Sequence, residues 1–297
     1  MDRKTWFEFL LFSLVPLGIP YINEINDNYI STPAKNIIII ILASLDLFFA
    51  YKFYKNNYTE KHNEIKDKIL RKGYSNAFVL SDKKKEYIIS KSYDEIYRIT
   101  KEQIPYDVHD YISEICKNFR DTISDITGIE IEYNSVTFIY HYIYEGSNDE
   151  DRMWRWVVGK ETTTHTPLNE FVEKSDSLYN YLINNRNVNS VFSNDKKDLK
   201  SRYHYYMSPR DKDHNEIGSV FSVKIDFNNN AQDFVEGILL ISTYGKKFVD
   251  NNSRNMTVKD FKNIVYEELF PYYRRLIETE LGMLYLKHIS DKTQQLN

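Results

Sequence analysis

The chain has 297 residues and a net charge of −4, and residues 1–58 contain as many basic as acidic side chains, so the later part carries the whole excess. A mildly acidic domain has no electrostatic reason to bind a nucleic-acid backbone, so we expect no nucleic-acid polymer among its partners. The single cysteine, Cys116, excludes an internal disulfide and a cysteine zinc cluster.

Two apolar runs lie near the start of the chain. The stronger is residues 37–53 (IIIIILASLDLFFAYKF), whose length is close to the ~20 apolar residues that cross a bilayer. The weaker is residues 6–22, which contain Glu8 and two prolines. We predict a two-helix transmembrane hairpin over residues 1–58. The alternative for residues 37–53 is a buried helix or strand of a soluble domain.

Basic residues flank the two runs. Arg3 and Lys4 precede the first, three lysines lie at or after the end of the second, and the connecting loop contains only Lys35. Because basic residues are retained on the cytoplasmic side, we predict two spans in the inner (cytoplasmic) membrane with both termini cytoplasmic. The residues after the first run lack the small side chains of a cleavage site, which favours an uncleaved anchor.

Each run contains an acidic residue. Asp46 lies near the middle of its run, where a carboxylate costs ~2.5–3.5 kcal/mol on insertion scales and usually faces a partner helix or a watery cavity. Asp46 either lines an assembly of several copies or is protonated and hydrogen-bonded within the hairpin. Glu8 is close enough to the cytoplasmic interface to need no partner. The expected partners are therefore the lipid bilayer and further copies of the chain.

Residues 59–105 are predicted to be a linker. Its first part is strongly charged with isoleucines at helical spacing, which predicts a helix that continues the second span. We expect Gly73 to end this helix, and residues 77–80 and 87–90 to form a small hairpin. From residue 93 to 126 the apolar positions recur at three and four, which predicts two amphipathic helices or one kinked at Pro105. Cys116 falls on the apolar side of this pattern as a core residue, and Gly128 is a plausible cap.

Beyond Gly128 the hydrophobic period changes from helical to two, which is typical of strands. The predicted strands and short apolar pieces are residues 135–144, 154–158, 191–192, 219–227 and 235–244. The tight polar turn at 228–232 predicts that the last two strands pair antiparallel. Helices are predicted over residues 168–184 and 257–287, the second interrupted at Pro271.

The order of these elements resembles a GAF domain, the small-ligand sensor fold. The segments GSVFSVKIDF (218–227) and EGILLISTYGKKFVD (236–250) are similar to the last two strands of that family. The resemblance covers about residues 106–289, followed by a tail at 290–297, and implies an α+β cytosolic domain with an antiparallel sheet flanked by helices. It also implies a small-molecule ligand, for which a nucleotide is a candidate. The nucleotide-binding pattern of the family is not matched, since Asn194, Asp195 and Lys196 lie in a suggestive position but in the wrong order. The bilin-binding pattern is not matched either, since Cys116 lies in the first helix.

Aromatic and basic residues form the predicted ligand site. Aromatic faces stack on bases, and guanidinium groups bind phosphate with two hydrogen bonds. The alternative is that the tryptophans are core residues and the tyrosines lie on the surface. The residues of this predicted site are Arg152, Trp154, Arg155, Trp156, Arg202, Tyr203 and His204, the last three in the segment RYHYYMSPR (202–210).

No pattern of catalytic residues is evident. The seven histidines show no metal-ligand spacing, and neither a GxSxG turn nor a glycine-rich phosphate loop is present. We therefore expect no enzymatic activity, metal or cofactor. The sequence favours a membrane-anchored sensor whose GAF-like domain binds a small ligand and signals to the hairpin. The alternatives are a ligand-activated membrane-disrupting effector, as in bacterial antiviral defence, and a membrane scaffold that binds a protein.

Overall fold

A computed structural model describes residues 22, 32–94, 107–159, 167–203, 205–229, 232–250 and 256–296. The chain divides into two compact units, Met1–Asp67 and Lys68–Asn297. The helices are α1 (Thr32–Asp94), α2 (Val108–Thr127), α3 (Leu168–Glu173), α4 (Leu178–Asn184), α5 (Lys196–Tyr203), α6 (Pro209–Asp213), α7 (Val258–Lys262) and α8 (Phe270–Leu296), with a 3₁₀ turn at Ile131–Tyr133 and a π-helical segment at Asn263–Leu269. The strands are β1 (Asn134–Tyr142), β2 (Arg155–Val158), β3 (Ser190–Ser193), β4 (Val220–Asn228) and β5 (Asp233–Thr243).

The first unit contains the stronger apolar run. Residues Thr32–Lys52 of α1 have a mean hydropathy of 1.8 and are long and apolar enough to cross a bilayer. Large apolar side chains such as Ile40, Leu47 and Phe48 are exposed there. The weaker run with Glu8 lies outside the described residues, except for Ile22. A single candidate span is therefore found in the described part of the chain, and the two-span hairpin stays a prediction.

The second half of α1 corrects two expectations. The helix continues through Gly73 and across residues 77–80 and 87–90, so the predicted small hairpin is wrong. Gly73 is needed for close packing and does not end the helix, because a Cβ there would lie 2.1 Å from Leu269 Cδ1. Leu80 is buried, and its carbonyl oxygen accepts a hydrogen bond from Tyr111 (2.9 Å). Contacts with α2 and the π-helical segment thus hold these residues helical.

Helix α2 is capped at both ends. Asp107 accepts hydrogen bonds from the backbone N–H groups of His109 and Asp110, which satisfies free donors of the first turn. Gly128 has φ +70°, and its N–H donates to the carbonyl of Ser124, which confirms the predicted cap. Cys116 is fully buried in the core and burial raises the pKa of its thiol, so it is an inert packing residue.

All neighbouring strands of the sheet are antiparallel. Their order is β2-β1-β5-β4-β3. The predicted pairing of the last two strands is confirmed, since Val220 lies opposite Ser242 and Asp226 opposite Glu236. The observed mixture of helices with one antiparallel sheet confirms the α+β class.

Both faces of the sheet are covered. On the first face, Phe138, Val223 and Leu239 belong to a core that includes residues of α2 and α8. On the second face, Ile139 and Ile238 belong to a separate core that includes residues of α3, α4 and α5. Alternating strand residues therefore enter two different cores.

Two predicted helices are divided in the structure. The helix expected over 168–184 is two short helices, because the chain turns after Glu173 and Ser177 caps α4 by accepting a hydrogen bond from the N–H of Asn180 (3.0 Å). The interruption expected at Pro271 is a π-helical segment that ends at Leu269. A wider turn accommodates a proline that lacks an N–H and whose ring crowds the preceding turn.

The packing of the later part of α1, which belongs to the second unit, is tested by two neighbouring residues. Leu80 is 1% exposed and Val79 is 46% exposed. We expect Leu80→Ala to lower the free energy of unfolding by about 2–5 kcal/mol, because it leaves a cavity in the core. Val79→Ala is the control, with a change of less than about 1 kcal/mol. Denaturant unfolding of the full chain in detergent measures both, and equal effects would contradict the docking of α1.

Candidate functional site

A cavity of about 80 Å³ opens on the second face of the sheet. Its floor contains Ser135 and Thr137 of β1 and Leu240 and Ser242 of β5. These residues share one face because strand side chains alternate, and Ser135 and Thr137 lie opposite Ser242 and Leu240. The sheet therefore provides a floor of three hydroxyl groups and one apolar side chain.

The walls of this cavity are aromatic, and we call it the tyrosine pocket. The hydroxyl of Tyr179 lies 2.7 Å from Thr137 Oγ1, and that of Tyr244 lies 3.2 Å from Ser135 Oγ. Burial raises the pKa values of both phenols and of Tyr205, so all three are neutral at physiological pH. The aromatic residues that line the pocket are Phe171, Tyr179, Tyr205, Tyr206 and Tyr244.

A buried ion pair lies beside the tyrosine pocket. Lys196 and Asp211 are 0% and 1% exposed, and Lys196 Nζ lies 2.5 Å from Asp211 Oδ1. Asp211 lines the pocket, and its other oxygen accepts hydrogen bonds from the backbone N–H (2.9 Å) and hydroxyl (2.7 Å) of Ser208. The ammonium group also lies 3.9 Å from the ring centroid of Tyr244, within cation–π range. Asp211 therefore joins the loop before α6 to the first residue of α5.

Burial has a direct effect on the lysine of this pair. It lowers the pKa of Lys196 to about 8, although the neighbouring Asp211 carboxylate acts in the opposite direction. Gly218 allows the side chain to pass, since a Cβ there would lie 3.0 Å from Lys196 Cε and 2.1 Å from the carbonyl oxygen of Thr243. The lysine is thus enclosed by backbone, aromatic rings and its partner.

One hydroxyl of the pocket floor is not held by a well-formed hydrogen bond. Ser242 is 1% exposed, and its Oγ lies near the phenols of Tyr205 and Tyr244 without a hydrogen bond of normal geometry to any described residue. Buried polar groups are nearly always hydrogen-bonded. The floor therefore contains a group that a bound molecule is able to satisfy.

The predicted tryptophans lie on the same face of the sheet but do not line this pocket. Trp154 stacks on His141 with ring centroids 3.9 Å apart. The backbone N–H of Trp154 donates to Asn169 Oδ1 (2.8 Å). Trp156 lies opposite Ile139, and both tryptophans are half-buried against the second core. This packing is what the alternative interpretation, in which the tryptophans are core residues, expects. Their role in ligand binding stays a prediction.

The two arginines beside the tryptophans contact the loop between β1 and β2. Arg155 donates to the carbonyls of Glu150 (2.7 Å) and Asp151 (2.9 Å) and lies 5.3 Å from the ring centroid of Tyr142. Arg152 donates to Ser147 Oγ (3.1 Å). Because both guanidinium groups bind their own loop, the structure does not bring them to the tyrosine pocket.

The same loop is joined to α8 through a buried carboxylate. Asp151 accepts hydrogen bonds from Tyr144 (2.9 Å) and from Lys292, and lies 3.0 Å from His288 Nε2. Burial alone raises the pKa of Asp151, but the hydrogen bonds from Lys292, the Asn148 N–H and Tyr144 outweigh it and lower the pKa to about 2. We interpret this network as a structural connection between the loop and the last helix.

The remaining predicted residues are dispersed. Arg202 is 64% exposed and pairs with Asp198 one turn earlier (3.2 Å). Tyr203 is the last residue of α5, and His204 lies outside the described residues. Their segment nevertheless continues into Tyr205 and Tyr206, which do line the pocket. The predicted residues Arg202, Tyr203 and His204 do not line the cavity, and their role in ligand binding stays a prediction.

The comparisons with other proteins add no functional information. The chain has no match among protein-family models, curated proteins or solved structures. The resemblance to a GAF domain therefore remains a proposal. In the part of the chain that the structure describes, no group of three or more His, Cys, Asp or Glu side chains has a geometry that would hold a metal ion.

The buried ion pair predicts that two aspartate-to-asparagine substitutions differ greatly in their effect on stability. We expect Asp211→Asn to lower the free energy of unfolding by about 3–5 kcal/mol, because it leaves the Lys196 ammonium buried without a counter-charge. Asp198→Asn, beside the exposed Arg202, is the control and should change it by less than about 1 kcal/mol. Denaturant unfolding of the full chain in detergent measures both variants.

The double variant Lys196→Met with Asp211→Asn provides a second readout. It removes the unpaired charge, so its stability should lie above that of Asp211→Asn alone. A double variant that is less stable than Asp211→Asn alone would contradict the assignment of the ion pair.

Proposed function

We propose that this protein is a membrane-anchored, non-enzymatic sensor whose second unit binds a small molecule in the tyrosine pocket. The observation that carries the proposal is the pocket itself. Neutral phenols, a serine hydroxyl without a hydrogen bond of normal geometry and one side of a buried ion pair converge on this cavity. Concave sites with apolar walls and a few convergent polar groups are typical of ligand binding. The resemblance to GAF domains, which bind small ligands, supports the same function.

Membrane attachment is supported by α1. Its residues Thr32–Lys52 have the length and hydropathy of a membrane span, with most large side chains exposed. The same helix continues to Asp94, and its later residues pack against α2. A change of packing around α2 that depends on the ligand would therefore act on a helix that also contains the apolar segment. Such a response requires the ligand to bind one packing more tightly than the other.

Ligand binding is tested with the full chain in detergent. Small molecules released on denaturation are identified by mass spectrometry, and thermal shifts are recorded with cyclic and linear nucleotides, nucleosides and phenol. The compound with the largest shift is then titrated against two serine variants. We expect Ser242→Ala to weaken binding roughly 3–10-fold with little loss of stability, because its hydroxyl makes no hydrogen bond of normal geometry to a described residue.

Ser222→Ala is the matched control. Its hydroxyl lies on the same face of the sheet and donates to the Leu239 carbonyl (3.0 Å), outside the pocket. This variant should lose about 1 kcal/mol of stability and keep its affinity. The proposal would be contradicted if the purified protein releases no small molecule and no compound raises its melting temperature. The scaffold alternative would then be preferred if the chain bound a defined protein stoichiometrically.

A second candidate function is ligand-driven assembly of the membrane segments. Asp46 supports it, since one of its carboxylate oxygens is buried without a hydrogen-bond partner among the described residues. A carboxylate within a membrane span usually faces a partner helix or a watery cavity. Assembly of several copies would supply that partner, and membrane disruption by such an assembly would make the protein an effector.

Assembly is tested with two leucine substitutions in the same helix. Asp46→Leu should reduce both the cross-linked oligomer and dye release from liposomes that contain the full chain, because it removes the polar group that needs a partner. Ser44→Leu is the control, since the Ser44 hydroxyl is exposed and donates only to the Ile40 carbonyl of its own helix (2.8 Å). Oligomerisation and dye release that persist in Asp46→Leu would exclude this candidate.

A further inference from the structure

A second cavity lies next to the tyrosine pocket, and we call it the basic cavity. It has a volume of about 170 Å³ and opens where the first half of β1 is not covered by β2, which pairs only with Phe138, Ile139 and Tyr140. Its polar lining residues are Lys117, Arg120, Glu132, Asn134, Ser135 and Arg210. Helix α2, the start of β1 and helix α6 thus contribute to one concave surface.

The charge of this cavity is predominantly positive. Three cationic side chains line it, against the single acid Glu132. Arg120 pairs with Asp121 (2.6 Å), whereas Lys117 has no ion-pair partner among the described residues. Arg210 donates to the backbone carbonyl of Glu132, which leaves its other N–H groups available. Two arginines and a lysine around one cavity favour an oxyanion, because guanidinium groups bind phosphate and carboxylate oxygens in pairs.

A buried amide in the same cavity lacks one partner. Asn134 is 2% exposed, and its Nδ2 donates to Ser124 Oγ (2.9 Å) and to the Arg120 carbonyl (3.3 Å). Its Oδ1 has no hydrogen-bond donor among the described residues. Since leaving a buried acceptor unsatisfied is costly, this oxygen favours a ligand with a hydroxyl group beside its anionic group. A phosphate monoester meets both requirements as the monoanion, which keeps one P–O–H group.

The basic cavity and the tyrosine pocket are adjacent. Ser135 lines both of them, and the Arg210 guanidinium lies 4.1 Å from the ring centroid of Tyr244, a wall of the tyrosine pocket. Arg210 also directly precedes Asp211 of the buried ion pair. The tyrosine pocket alone is smaller than the roughly 300–1,000 Å³ of typical ligand sites, and the two cavities together approach the lower end of that range.

We propose that the two cavities form one site for a small organic phosphate. The phosphate lies among Lys117, Arg120 and Arg210, and the ring or hydroxylated body of the ligand lies among the tyrosines. This inference rests on the proposed function, because it names the class of ligand that the tyrosine pocket receives. The position of Ser135 between the cavities places the bond that joins the body to the phosphate beside β1.

Three probes separate the two parts of the site. Phenol tests the tyrosine pocket, inorganic phosphate tests the basic cavity, and phenyl phosphate tests both at once. We expect phenyl phosphate to bind the full chain in detergent at least 10-fold more tightly than either phenol or inorganic phosphate, as measured by isothermal titration. Its affinity should fall as salt concentration rises, whereas that of phenol should not.

Two lysine variants provide the matched comparison. Lys117→Gln should weaken phenyl phosphate roughly 3–10-fold, reduce the salt dependence and leave phenol binding unchanged. Lys212→Gln, an exposed lysine of α6 that does not line either cavity, should change none of these values. Benzoate distinguishes the two oxyanion classes, and binding as tight as that of phenyl phosphate would overturn the assignment to phosphate.

The outcomes separate this inference from the proposed function. If phenol binds, but phenyl phosphate binds no more tightly and Lys117→Gln has no effect, the inference is overturned and the proposed function stands. If inorganic phosphate binds in a Lys117-dependent way and phenol does not, the single-ligand site is overturned. If dihexanoyl phosphatidic acid binds through Lys117 and phenyl phosphate does not, the basic cavity receives a lipid headgroup and the proposal fails. If no probe binds, both the inference and the proposed function are overturned.

Discussion

Burial of both faces of the sheet is the constraint on which the rest of the second unit depends. β5 lies between β1 and β4, so its backbone groups are paired on both sides and its side chains enter two cores. Any polar group on these faces must find a partner inside the protein. On the first face the core is largely apolar, and the buried amide of Asn134 donates to Ser124 Oγ and to the Arg120 carbonyl of α2. On the second face, serine and threonine hydroxyls are matched by phenols such as Tyr179 and Tyr244, and a polar pocket is the result.

The buried ion pair is a costly solution to a similar problem. A well-packed apolar pair would usually be at least as stable as Lys196 with Asp211, since desolvation of two charges offsets their attraction. Its value is positional, because Asp211 also binds both polar groups of Ser208 and thereby fixes the loop before α6. That loop supplies Tyr205 and Tyr206 to the pocket, and the next residue after Pro209 is Arg210 of the basic cavity. One interaction therefore positions residues of both cavities.

The sequence predicts those parts of the fold that depend on neighbouring residues. The alternation in β4 and β5, the turn between them, the cap at Gly128 and the core position of Cys116 all follow from periodicity and backbone preferences. The helix through Gly73 does not, because the reason for that glycine is Leu269, almost two hundred residues away. The tyrosine pocket was not predicted, because residues that are far apart in the sequence come together to line it. Lys196 and Asp211 meet through the turn after α5, and a lysine at the start of a charged helix gives no sign that it is buried.

The continuity of α1 gives the proposed function its physical basis. Helix α1 runs without interruption from Thr32 to Asp94, so the apolar segment and the residues that pack on α2 belong to one helix. Its later residues contact α2 through Leu80 and through the Asn76 hydrogen bond to Thr122 (2.8 Å). Helix α2 also contributes Lys117 and Arg120 to the basic cavity. In the proposed function, an anion in the basic cavity would contact the helix that packs on the later residues of α1. A ligand that binds one packing of α2 more tightly would then favour the matching packing of those residues.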